Sequence, residues 1–154
     1  MFKINMIKLG KILKIILWIG FFLAIPAILI LPLFLQNNIS MFHTMLIIYP
    51  NGFLMLGIIY QFIKLFQSLE RNNPFTYDNV NILKKTGIIS LIMGILWLID
   101  LIDMIVIIQN HYINYIIVLL FLMILFIGVA IALLILSMLF KQATDYKTEN
   151  DLTI

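Results

Sequence analysis

Cysteine is absent from the 154 residues, which excludes disulfides, CxxC redox chemistry, thiolate metal sites and a cysteine nucleophile, whichever compartment a loop faces. Charge is scarce as well: 11% of the residues are Asp, Glu, Lys or Arg, against about 25% in an ordinary soluble domain. Nothing ionises between Lys14 and His43, and no Asp, Glu, Lys or Arg occurs between Asp103 and Lys141. A water-soluble globule is excluded by that balance. Also missing are a GxSxG nucleophile elbow, an HExxH pair, a Walker glycine loop and a glutamate-rich protease motif, so no recognisable nucleophile, base or phosphate cradle is present. No cofactor or metal is expected, and the chain reads as non-enzymatic.

What fills the sequence is apolar: 64% hydrophobic residues, 33 of them isoleucine, and a mean hydropathy of +1.14. With nine Lys against one Arg, this skew points to the codon usage of an AT-rich bacterial genome. Runs of this length span bilayers. The pattern predicts four transmembrane helices, over about 12–35, 44–63, 86–108 and 115–140, in an all-α integral membrane four-helix bundle. These spans and their connections form one membrane domain with no separate catalytic, nucleotide-binding or DNA-binding unit. The first span is too long for a secretory h-region and reads as an uncleaved signal anchor, with Pro26 and Pro32 kinking or fraying its far end.

All ten Lys and Arg fall in the N-terminal segment, the middle connection 64–85 and the tail 141–154, and none in the loops near 36–43 and 109–114. The positive-inside rule then puts both termini in the cytoplasm of a bacterial plasma membrane. The formal charge of +3 and pI near 9.2 follow from these flanking lysines, so no direct nucleic-acid contact is inferred. The middle connection reads as two helical arms. The first is stopped by Asn72, Asn73 and Pro74, and the second is started by Thr76 as N-cap with Asp78 in its first turn. Leu65, Phe66 and Leu69 on one arm, with Val80 and Leu83 on the other, are placed to pack together or to offer a groove.

Two constellations stand out on the opposite side. Asp100 and Asp103 share a helix face at i, i+3, about 21 and 26 Å along a hydrocarbon layer of about 30 Å counted from Thr86. A buried pair would hold a proton or a cation; the reading favoured here is that span three ends near Leu98 and leaves both aspartates at the interface. His43 and His111 fall in the two loops on that side and could join them in a zinc-type or pH-responsive site, but they lack metal-ligand spacing and read as ordinary loop histidines. Small residues at spacing four, Gly20/Ala24, Ser90/Gly94 and Gly128/Ala132, read as packing seams within one chain or between copies in a homo-oligomer.

The residues Asn73, Pro74, Phe75, Asn79, Leu83, Lys84 and Gly87, with the closing Glu149, Asn150, Asp151, Leu152, Thr153 and Ile154, resemble the bacterial membrane family called domain of unknown function 2975. The resemblance covers the whole chain and implies four spans and an acidic-Asn-Asp-Leu-Thr-aliphatic ending; Lys84 stands where many relatives carry Arg. It implies no activity. Many members are encoded beside a small helix-turn-helix regulator, so a cytoplasmic protein partner contacting these residues is the leading expectation, with the lipid bilayer as surroundings. A small transporter or toxin-immunity protein using Asp100 and Asp103 is the alternative.

Overall fold

The computed structural model describes residues 6–35, 44–71, 74–107 and 113–152. They are helical throughout apart from the turn before Tyr77: α1 Met6–Leu35, α2 Tyr49–Glu70 entered through a π-helical turn Thr44–Ile48, α3 Tyr77–Ile107 and α4 Ile113–Leu152. Each of the four is long and apolar enough to cross a membrane. Their surfaces agree with that: Phe22, Leu23, Phe121 and Val106 stand 61–71% exposed, a display of apolar area that water disfavours and lipid accepts. Helix α1 continues through Pro26 and Pro32 to Leu35, so the fraying considered for its far end is not found up to that residue.

Entry into α2 has a local cause. Pro50 has no N–H to give the helical ladder, and the chain approaches it in a wider π turn. There the buried Asn51 donates its side-chain amide to the Ile47 carbonyl at 3.0 Å. At the other end α2 closes with an Arg71 N–H to Ser68 carbonyl bond, and Pro74 bars the helix from continuing. Thr76 then caps α3 as expected, its hydroxyl accepting from the Asn79 N–H at 3.3 Å while its carbonyl takes the Val80 N–H, and Asp78 lies in the first turn.

The helices pack in chain order, α1 on α2, α2 on α3 and α3 on α4, and the α3–α4 seam is the most extensive. A closed four-helix bundle would also bring α1 against α4, and the described residues show no extended contact of that kind. The array is an open file, with α3 as its most enclosed member. Two stripes of α3 are buried. One, with the seven-residue spacing Asn79, Thr86, Met93, Asp100, begins against α2; the other, Val80, Leu83, Gly87, Ser90 and Gly94, alternates three and four residues like a coiled-coil seam.

The second stripe meets α4. A Cβ on Gly94 would lie 2.6 Å from the Ile127 side chain, and one on Gly87 3.0 Å from Leu134 and 3.2 Å from the Ala130 carbonyl, so the glycines are where the two backbones approach. Ser90 donates to the Phe126 carbonyl at 2.9 Å and Ser137 to the Val80 carbonyl at 3.1 Å, hydrogen bonds that tie helix to helix. Ser90/Gly94 is thus a seam as expected. Gly20 and Gly128, in contrast, have nothing within 4 Å, and Ala132 is exposed. Among the described residues Gly20, Gly128 and Ala132 thus mark no close approach between helices of this chain; α4 uses Ala130 instead, buried completely.

Candidate functional site

Antiparallel packing gathers one set of helix ends, those carrying the basic residues, and side chains knit them together. Lys14 of α1 donates to Glu70 of α2 at 2.7 Å. Asn79 of α3, 1% exposed, donates from one amide nitrogen to the Ser68 hydroxyl of α2 and to the Pro74 carbonyl, each at 2.6 Å. Tyr77 donates to the Asp145 carboxylate of α4 at 2.6 Å, and Phe75 packs against Phe140 with ring centroids 5.4 Å apart. Thr144, buried, returns its own hydroxyl to the Phe140 carbonyl. Helix α4 does not stop with its apolar stretch. It continues to Leu152, and its 40 residues extend about 60 Å, twice a hydrocarbon layer.

This arrangement assigns physical roles to the residues that carried the family resemblance. Pro74, Phe75 and Asn79 fasten the turn: one breaks the helix, one packs on α4, and one pins the turn to α2. Leu83 and Gly87 lie buried in the third helix, Gly87 as a close approach to α4. Lys84, Glu149 and Asn150 are exposed. Asp151 and Leu152 end α4. Asn73 lies outside the described residues, as do His43 and His111, so convergence of those histidines with the aspartates falls outside them too.

The aspartates themselves require a correction. The helix α3 runs to Ile107, in line with the span read over about 86–108, so the favoured reading that it ends near Leu98 and leaves both aspartates at the interface does not hold: Asp100 is 1% exposed on the stripe it shares with Asn79, Thr86 and Met93. The lone i, i+3 spacing could not decide this, because burial of a carboxylate is fixed by what the neighbouring helices cover. Tyr115, at the start of α4, lies within electrostatic reach of Asp100, and Trp97, one turn earlier on the same face, has its indole nitrogen enclosed. Asp103 is only half-buried. Among the described residues no group of three His, Cys, Asp or Glu is placed to hold a metal.

The groove foreseen between the arms exists but is not apolar. Val80 and Leu83 turn inward to the core, and the opening between α2 and α3, a cleft of about 530 Å³, is walled by Gln61, Lys64, Gln67 and Arg71 on one helix and by Asp78, Asn81 and Lys85 on the other. Its polar lining was not foreseen, although a signal was present. Gln61, Lys64, Ser68 and Arg71 recur at spacings of three, four and three, and Asp78, Asn81 and Lys85 at three and four, each set one polar helix face.

No curated protein and no solved structure matches the chain. The family model described as "Protein of unknown function (DUF2975)" matches residues 16–154, which takes in all of the knitted end except Lys14. The chain therefore belongs to the DUF2975 family, a family of unassigned activity with, in this member, four helices able to cross a membrane.

Proposed function

We propose that this is a multi-pass protein of the bacterial plasma membrane with both termini cytoplasmic, non-enzymatic, and acting through a protein partner at its basic end. The one-sided placement of Lys and Arg supports the orientation. The observation that carries the functional reading is the knitting of four helix ends through Lys14–Glu70, Ser68–Asn79, Tyr77–Asp145 and Phe75–Phe140. Bilayer crossing alone asks for no such construction, whereas a docking platform needs fixed helix ends. Beyond Asp145 the helix presents Tyr146, Lys147, Thr148, Glu149 and Asn150 to solvent, a polar face suited to a small helix-turn-helix regulator of the kind encoded beside many relatives. Pull-down with the neighbouring regulator tests this. The full chain should retain it in detergent, and a chain cut after Asp145 should not; no retention, together with unchanged transcription after deletion, overturns the proposal. Labelling of engineered cysteines from outside intact cells tests the orientation, with position 38 modified and position 73 protected.

Burial of Asp100 favours a second reading, a small transporter or immunity protein with a proton or cation site in its outer half. An enclosed carboxylate is costly in a bilayer, about 2.5–3.5 kcal/mol at the centre on insertion scales, and such residues mark ion pathways more often than scaffolds. Asp100→Asn keeps the size and removes the charge; transport or resistance lost in D100N and kept in D103N is the expected pattern, and full retention in D100N rejects this reading.

A further inference from the structure

We propose that the cleft between the basic ends of α2 and α3 seats the phosphate of an anionic phospholipid headgroup. Lys64 and Arg71 from one wall and Lys85 from the other meet across it, against a single carboxylate, Asp78. None of the three cations is neutralised by a carboxylate among the described residues; the ion pair found there is Lys14–Glu70, which removes itself from the count, and the Lys64 ammonium lies 4.5 Å from the centre of the Tyr60 ring. Gln61, Gln67 and Asn81 add neutral amide donors, so phosphate oxygens find both charge and hydrogen-bond partners. The floor is rigid, because the Ser68–Asn79 hydrogen bond holds the two walls together. A volume of about 530 Å³ is the size of a small-molecule site.

Depth selects the lipid over a free phosphate. Gln61 and Lys64 fall within the apolar stretch Met45–Ser68 of α2, and Lys85 within Tyr77–Val106 of α3. From Lys85 to Val106 the helix rises about 32 Å, close to a hydrocarbon thickness of about 30 Å, so the cleft opens at the level where headgroup phosphates are concentrated. Lysines that served only to orient the chain would work equally well scattered over the surface; here they converge on one concavity.

The full chain in nonionic detergent, titrated with dioctanoyl phosphatidylglycerol and followed by native mass spectrometry, tests the proposal, with the phosphatidylcholine analogue and glycerol phosphate as comparisons. Phosphatidylglycerol should bind on the order of tenfold more tightly than either. Lys64→Gln, Arg71→Gln and Lys85→Gln should each weaken it about fivefold, the effect of one surface cation on an anionic lipid, while Lys84→Gln on the same helix should not. Asp78→Asn should strengthen binding by about the same factor, a gain that misfolding cannot produce. Equal affinity for the phosphatidylcholine analogue, or equal losses in Lys84→Gln and the cleft variants, overturns the site. Equal affinity for glycerol phosphate overturns the lipid as its source.

Discussion

Gly94 and Gly128 are the same residue type on the two helices of one hairpin, yet one sits at a backbone approach and the other faces open space. Gly94→Ala drives a methyl to 2.6 Å from Ile127 and should destabilise the fold by about 1–3 kcal/mol, the usual range for overpacking. Gly128→Ala meets nothing and should be neutral, or stabilising by up to about 1 kcal/mol through helix propensity. Thermal unfolding in one detergent compares them directly, and equal losses would contradict the α3–α4 register. Asn79 is the polar counterpart. Asn79→Leu fits an apolar group of similar size but removes the link to Ser68 on α2 and takes the side-chain donor from the Pro74 carbonyl; a loss of about 1–3 kcal/mol is the expected range for a part-buried carbonyl left without that donor. Thr76→Ala, which removes only the cap, should cost about 1 kcal/mol. Thr76 was legible as a cap from Pro74, Asp78 and the apolar run that follows, because capping is local chemistry. The two bonds of Asn79 were not, since one of its partners, Ser68, lies on another helix.

Among the elements, α4 shows most clearly how apolar length and helix length can differ. Its polar part, the tail from Lys141 onward, stays helical to Leu152, with Asp145 bound to Tyr77 and Thr144 covered. Thr144 is buried and Asp145 half-buried, whereas residues 146–150 are exposed. Amide exchange should therefore be slower through 141–145 than through 146–152, since solvent-exposed helix ends open with little free energy. Tyr77→Phe should narrow the difference, and uniform protection would show that the extension is held by something other than these contacts. The α1–α2 hairpin depends on a different device. Lys14 and Glu70 are partly exposed, at 26% and 15%, so solvent screens them, and a double-mutant cycle should give a coupling of no more than about 1 kcal/mol that shrinks with salt.

For the molecule as a whole, the open file of helices sets where substitutions matter. Leu119 is almost completely enclosed and Phe22 is 64% exposed. In the bilayer proposed for this chain neither would gain from leaving water, so what distinguishes them is contact: Leu119→Ala opens a void between helices, whereas Phe22→Ala would exchange side-chain contacts for lipid contacts. Leu119→Ala should cost about 2 kcal/mol, the lower end of the range for buried Leu→Ala because the transfer term is small, and Phe22→Ala close to nothing. Similar losses for both, measured in bicelles, would mean that α1 is covered by a second copy rather than by lipid.

Length, hydropathy and the placement of lysines sufficed to read four apolar helices, their approximate limits, the break at Pro74 and the gathering of basic residues, because each depends on local composition or short-range chemistry. Which face of each helix turns inward was settled only by tertiary packing. In a lipid-compatible helix the inward and outward faces are both apolar, so periodicity carries almost no signal. For the same reason Gly20/Ala24 looked equivalent to Ser90/Gly94, Asp100 looked like a helix end, and the polar cleft went unseen until α2 and α3 were side by side.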